Sequence, residues 1–75
     1  MSFWDTERHV KDVPKSGTKG TFYSIKVVSK GSKQYIDLRE HYNAKDGTVR
    51  FTQKGTAIPV SDVDAVIAAL QEAKG

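Results

Sequence analysis

The 75-residue sequence contains no cysteine, and only one tryptophan, one methionine and two prolines. Without cysteine the chain has neither disulfides nor thiolate metal ligands. Its two histidines, His9 and His41, are too far apart in sequence for the usual spacing of a zinc site. A domain of this size buries only about 60% of the surface of its unfolded chain. Since disulfides and metal are excluded, we expect self-association to supply the missing stability.

Long apolar runs are also missing. No stretch approaches the roughly 18 apolar residues that a membrane-spanning helix needs, so we expect no membrane partner. Residues 1–7 have neither the positive region nor the apolar run of a signal peptide. We therefore expect an intracellular protein, cytoplasmic or nucleoid-associated, or nuclear in a eukaryote.

Most of the residue patterns that enzymes use are absent. There is no cysteine nucleophile, no His-Glu-x-x-His pair and no Gly-rich phosphate loop. Asp37 and His41 share one side of a predicted strand, whereas Glu40 lies on the other. An acid–base pair there would need a pocket that a four-stranded sheet rarely supplies. We expect no enzymatic activity, no cofactor and no metal.

The formal net charge of +3 is small but unevenly distributed. Residues 21–55 carry seven basic and three acidic side chains, whereas residues 56–75 carry one basic and three acidic. A basic middle favours an anionic partner, although an ordinary solvated surface also produces such imbalance.

Glycine and proline divide the chain near its start. The segment 14–20 has two glycines and a proline, which is typical of a break between structured regions. We therefore predict a partly ordered N-terminal arm, residues 1–19, and a folded domain, residues 20–75. The arm contains Phe3 and Trp4, and docking of these rings on the domain is favoured over contact with a ligand.

The domain shows strand patterns followed by one helix. β-Branched and aromatic residues, alternation and turn residues predict four strands, at 21–28, 34–42, 48–52 and 56–60. Turns are predicted at residues 30–33 and at Asp46-Gly47, with a break or bulge at residues 53–55. Ser61 is the expected helix N-cap, with Asp64 in the capping-box position. The predicted fold class is α+β, in the order β-β-β-β-α.

Two apolar patterns indicate which faces are buried. In the second predicted strand Ile36 and Leu38 point to one side, and the other side carries Tyr35, Asp37, Arg39 and His41. The helix has one apolar stripe at i, i+3, i+4 and i+7, formed by Val63, Val66, Ile67 and Leu70. This stripe can cover a sheet and still meet a partner helix.

An open sheet with basic and aromatic side chains suits single-stranded nucleic acid. Such binding needs cations for the phosphates and rings on which bases stack. A structural explanation of the same residues is one alternative: Tyr35 and Phe51 would belong to the core, and Lys54 would protect an edge strand from pairing with another chain. A protein-interaction module, which recruits a polymerase or phage protein through the sheet or the arm, is the alternative.

The segment from Lys33 to Ile58 resembles the C-terminal domain of transcriptional positive cofactor four, a coactivator with small single-strand-binding relatives in bacteria and phages. The resemblance lies in Tyr35-Ile36-Asp37-Leu38-Arg39-Glu40-His41-Tyr42, in the Asp46-Gly47 turn, in Lys54-Gly55-Thr56-Ala57-Ile58 and in the helix that follows. It implies an antiparallel sheet, a homodimer through the helices, and binding of single-stranded or unpaired DNA, largely without sequence preference. The residues themselves do not distinguish DNA from RNA, so RNA stays an alternative partner.

The resemblance also implies a set of binding residues. These are Lys33, Arg39, Tyr42, Arg50 and Lys54, with Tyr42 in the place of a base-stacking tryptophan. Lys30 stands where the family has a stacking phenylalanine, so Tyr35, Phe51 or Trp4 is expected to compensate. Tyr42 shares the side of Ile36 and Leu38, and it reaches the opposite side only if the strand bulges or twists.

Overall fold

The computed structural model describes residues 3–75; Met1 and Ser2 of the predicted arm lie outside the described residues. Four strands form one sheet in the order β1-β2-β3-β4, with every neighbouring pair antiparallel. The predicted fold class is confirmed, because one helix follows the sheet. The elements are β1 (Thr6–Pro14), β2 (Thr21–Lys30), β3 (Lys33–Asn43), β4 (Val49–Pro59), a 3-10 turn (Val60–Asp62) and α1 (Val63–Lys74). No helix in residues 3–75 has the length and apolar character to cross a membrane.

The first strand lies in the segment that the sequence assigned to an arm. β1 pairs with β2 from Thr6 opposite Ser29 to Pro14 opposite Phe22. All nine residues of β1 are exposed, and an edge strand without a buried side needs no apolar alternation. The prediction that the sheet begins at residue 21 is therefore wrong. The division of the chain at residue 20 stays a prediction about which part folds independently.

β4 joins the two short strands predicted at 48–52 and 56–60. Arg39 lies opposite Gly55 and His41 opposite Phe51, so one residue of β3 faces three of β4. The Thr52 hydroxyl donates to the Glu40 carbonyl oxygen at 3.0 Å and accepts from the Lys54 amide at 3.0 Å. The bulge is confirmed, but it is bridged by this hydroxyl and does not end the strand.

Glycine is required where β4 returns to regular pairing and in the tight hairpin. A Cβ on Gly55 would lie 2.7 Å from the Leu38 carbonyl oxygen, so the two backbones approach closely here. Gly31 has φ +63° and is the first of two residues between β2 and β3, as a type II′ hairpin turn requires.

The helix begins later than predicted. Its N-cap is Asp62, without a side-chain capping hydrogen bond, whereas Ser61 lies inside the 3-10 turn. The Val63 amide donates to the Val60 carbonyl oxygen. A backbone hydrogen bond therefore satisfies this amide at the start of the helix, where the Ser61 side chain was expected to act as the N-cap. The capping box of Ser61 and Asp64 is therefore wrong.

The sheet has two faces, which cross-strand pairing defines. We call the face that carries Phe22, Ser24, Lys26 and Val28 the trough face, and the one that carries Tyr23, Ile25 and Val27 the helix face. In residues 3–75 Val28 is the only buried hydrophobic side chain, with Ser24 and Asp37 the buried polar ones. A single chain therefore has little enclosed core.

Candidate functional site

The trough face of β3 carries the polar residues that the alternation predicted. Directly paired residues of neighbouring antiparallel strands project to the same face. Arg39 lies opposite Ser24 of β2, and Asp37 opposite Lys26. Ile36 and Leu38 lie on the helix face, opposite Val27 and Ile25, so the predicted separation of polar and apolar residues is confirmed.

An open trough of about 570 Å³ runs over this face. It is lined by Phe3, Trp4, Glu7, Lys26, Asp37, Arg39, His41 and Phe51. Aromatic rings border it, and charged side chains form its floor.

Rings from the N-terminal segment form one border. Trp4 lies against Tyr35 with centroids 5.4 Å apart, and Phe3 meets Trp4 edge to face at 4.9 Å. The Lys30 ammonium donates to the Phe3 carbonyl oxygen at 2.9 Å and lies 4.8 Å from the centre of its ring. Asp5 accepts a hydrogen bond from the Gly31 amide at 2.7 Å. The β2–β3 hairpin thus holds the segment in place, and the expected docking of Phe3 and Trp4 is confirmed.

A second group of rings crosses three strands. His41 stacks on Phe22 of β2, with centroids 5.7 Å apart and planes 12° from parallel, and Phe51 of β4 lies opposite His41. Phe51 is 71% exposed. An exposed ring of this size, on a face with other aromatic groups, offers a flat surface to a planar ligand.

The cations in the floor have acidic partners. Lys26 Nζ lies 3.5 Å from Glu7 Oε1, and Arg39 Nη2 lies 3.3 Å from Asp37 Oδ1. Only 8% of the Asp37 side chain is exposed. The floor is therefore polar and close to neutral, with hydrogen-bond donors and acceptors side by side.

The imidazole of His41, which lines this trough, has a shifted pKa. Partial burial lowers its pKa below the ordinary value, and the positive charge of Lys26 lowers it further. Asp12 and Asp37 act in the opposite direction but more weakly. The imidazole therefore favours its neutral form, which suits stacking on Phe22.

The five binding residues expected from the resemblance are divided between both faces. Arg39 lies on the trough face with the three candidate stacking residues. Tyr42 lies opposite Arg50, two positions from the pair of Leu38 with Thr56, and both are therefore on the helix face. The strand bulge lies in β4 and not in β3, so it does not turn Tyr42 over.

The two lysines of the set lie at the margins of the sheet. Lys33 lies at the start of β3, opposite Lys30. Lys54 lines a small hollow of about 180 Å³ with Tyr23 and Leu38. Arg50 is paired with Asp46, at 3.2 Å, and hydrogen bonds from Thr48 hold the pKa of that carboxyl below its usual range. The structure thus brings Arg39 together with aromatic rings and places the other predicted cations at the rim.

Sequence reasoning missed Lys26, Phe22 and Glu7: Lys26 and Glu7 line the trough, and Phe22 is the ring on which His41 stacks. The hairpin at residues 30–33 contained the signal for the first two, because its turn fixes the register in which Lys26 meets Asp37 and Phe22 meets His41. Glu7 belongs to β1, which has no apolar pattern. Within residues 3–75 no group of His, Asp and Glu side chains is arranged to hold a metal ion.

An apolar groove of about 260 Å³ lies between the helix face and α1. Its walls are Ile25, Ile36, Leu38 and Ile58 on the sheet and Val63, Val66, Ile67 and Leu70 on the helix. Ile67 and Leu70 are 46% and 62% exposed, and no residue of α1 is buried. The predicted stripe faces the sheet, but nothing within residues 3–75 covers it.

The fold is similar to that of BPSL1147, described as a PC4 homolog from Burkholderia pseudomallei, in two crystal forms. The tetragonal form has a TM-score of 0.79 and 23% identity, covering 93% of this chain and 100% of that one. The orthorhombic form has a TM-score of 0.78 and 25% identity, covering 97% and 96%. No protein-family model and no curated protein matches the sequence. The likeness over nearly the whole of both chains agrees with the resemblance to positive cofactor four, or PC4, and shows that the chain has a PC4-like fold.

Proposed function

We propose that the chain is a non-catalytic protein that binds single-stranded DNA and acts in transcription or replication. The observation that carries this proposal is the trough, which has exposed or half-buried rings at its borders and hydrogen-bonding groups in its floor. Single strands bind where bases stack on aromatic rings and cations follow the backbone. The PC4-like fold supports the same function.

The bases stack on the rings of the trough face. Phe51 is the most exposed of these rings, and Tyr35 with Trp4 takes the role at the other border. Arg39 lines the floor of the trough, where its guanidinium donates hydrogen bonds to the edges of the stacked bases. These rings replace the phenylalanine that the family places where this chain has Lys30.

The phosphates are neutralised at the rim. Lys33 projects from the hairpin end of β3, and Arg50 and Lys54 project from the β4 edge. Tyr42 lies beside Arg50 on the helix face, so it contacts a strand that passes around this edge. The five predicted residues thus remain the proposed contacts, with Arg39 separated from the others.

The binding unit is a homodimer formed through the helices. A lone chain encloses almost no apolar core, and the groove between α1 and the sheet is open. A second copy can fill this groove with the same stripe, led by Ile67 and Leu70. Such an isologous contact closes with two copies, leaving both troughs accessible.

Fluorescence anisotropy with a labelled single strand, its duplex and an RNA of the same sequence tests the binding. We expect the single-stranded DNA to bind more tightly than the duplex, with an affinity that falls as salt rises. Sedimentation equilibrium of the same sample gives the mass, expected to be that of two chains. Equal affinity for duplex, or no binding at low salt, would exclude the proposal and favour the protein-interaction alternative.

A further inference from the structure

We propose that the floor of the trough recognises base edges and prefers bases with a ring N–H between two carbonyl oxygens at the Watson–Crick edge, namely thymine and uracil, over adenine and cytosine. The inference rests on the proposed function, since it concerns how a bound single strand lies in the trough. It departs from the binding without sequence preference that the resemblance implies.

The first step is that the floor is unsuited to phosphate. Both of its cations already have carboxylate partners: Lys26 has Glu7 at 3.5 Å and Arg39 has Asp37 at 3.3 Å. A phosphate placed there would meet two carboxylates as well as two cations. The backbone of the strand therefore runs along the rim, and the bases point into the trough.

The second step is the order of donors and acceptors. Asp37 has Lys26 across from it on β2 and Arg39 two residues along β3. A carboxylate only accepts hydrogen bonds, whereas ammonium and guanidinium groups only donate. The floor thus presents an acceptor flanked by donors.

The third step is the complementary base edge. Thymine and uracil present a ring N–H between two carbonyl oxygens, which matches an acceptor flanked by two donors. Adenine and cytosine instead present a ring nitrogen lone pair, which would face the carboxylate of Asp37. Because only 8% of that side chain is exposed, water cannot readily relieve this unfavourable contact.

The rings orient the base for this contact. A base that stacks on Phe51, or on Trp4 with Tyr35, presents its edge, not its face, to the floor between them. The volume of about 570 Å³ is typical of sites that enclose small organic ligands. Stacking supplies affinity for any base, and the floor supplies the discrimination.

Oligonucleotides of deoxyuridine and deoxycytidine, equal in length, make a sharp comparison, because the two bases differ only at this edge. We expect the deoxyuridine strand to bind at least about fivefold more tightly, as a well-placed base contact provides. The ratio should persist when salt is raised, because both strands carry the same phosphates. Equal affinities, or tighter binding of deoxycytidine, would overturn the inference while leaving single-strand binding intact. No binding of either strand would instead refute the proposed function itself.

Two variants assign the preference to the floor. Asp37→Asn keeps the shape but adds a donor, so the ratio between the two strands should fall to about one. Glu40→Gln makes the same chemical change on the opposite face of β3 and should keep the full ratio. Circular dichroism checks the fold of each variant. If Asp37→Asn fails to fold, Arg39→Lys replaces it, because loss of the guanidinium fork should reduce the ratio of affinities for the deoxyuridine and deoxycytidine strands. A folded Asp37→Asn or Arg39→Lys protein with the wild-type ratio would contradict the assignment.

Discussion

The salt dependence of binding distinguishes cations at the rim from those in the floor. Each phosphate neutralised by the protein contributes about 0.7 to the slope of log affinity against log salt for single strands. The resemblance assigns four cations to the backbone, Lys33, Arg39, Arg50 and Lys54, and this would give a slope of about 2.8 per protomer.

The structure predicts a smaller slope. Arg39 is held by a carboxylate that is almost fully buried, and its charge is therefore compensated before any ligand arrives. Arg50 is paired with Asp46, but both side chains are more than half exposed. Such a surface pair contributes only about 0–1 kcal/mol, so Arg50 can exchange its partner for a phosphate. Three cations then remain to neutralise phosphates, namely Lys33, Arg50 and Lys54, and the expected slope is about 2.1.

The assay is anisotropy over a series of salt concentrations, with an oligonucleotide short enough to occupy one protomer by measured stoichiometry. Lys54→Gln should lower the slope by about 0.7, whereas Arg39→Gln should reduce affinity with little change in slope. The two variants remove the same formal charge and so control for each other. A wild-type slope near 2.8, reduced by 0.7 in Arg39→Gln, would show that Arg39 contacts a phosphate and would refute the reasoning.

Three further predictions concern stacking, assembly and pH. Phe51→Ala should weaken binding by about 1–3 kcal/mol in the same anisotropy assay. Val49 is also exposed on β4 and lies on the trough face, so Val49→Ala is the control and should have little effect. Equal losses of affinity in the two variants would contradict a stacking role for the Phe51 ring. Leu70→Asp should yield monomers or unfolded chains in sedimentation, because it places a charge on the apolar stripe, while Ala65→Asp on the other side of α1 should remain dimeric. The pKa of His41 is lowered in the folded chain, so the unfolded chain binds more protons just below pH about 6.5. The free energy of unfolding should therefore fall as pH drops through this range. His41→Gln should flatten the pH dependence of the urea midpoint.

The central hairpin of β2 and β3 shows which features of this fold can be predicted from the sequence. β2 and β3 alternate clearly and meet at a two-residue turn with Gly31, and so their existence, register and faces follow from local pattern. The same parity placed Tyr42 on the side of Leu38, and the structure keeps it there. Elements whose pattern is created by burial of one face are predictable in this way.

The edge elements lack such a pattern. β1 has only Val10 and Val13 among its aliphatic residues, and all its positions are exposed, so local composition could not distinguish it from a loop. In β4 the bulge that Thr52 bridges interrupts the alternation and resembles a chain break. The trough was equally hard to predict from local sequence. The rings of Phe3 and Trp4 form one of its borders, and contacts with the distant β2–β3 hairpin hold them there.

The two edges of the sheet also determine what kind of assembly is open to the chain. β1 and β4 both have one unpaired edge, and a flat, regular edge invites addition of strand after strand into a filament. β1 opposes such growth, because Val10 is extra in its pairing with β2 and Pro14 at its end lacks a backbone donor. β4 opposes it with its own bulge at residues 52–54. Polymerisation through backbone pairing is thus discouraged at both ends of the sheet, and the apolar groove under α1 is the surface that remains for the proposed contact between two copies.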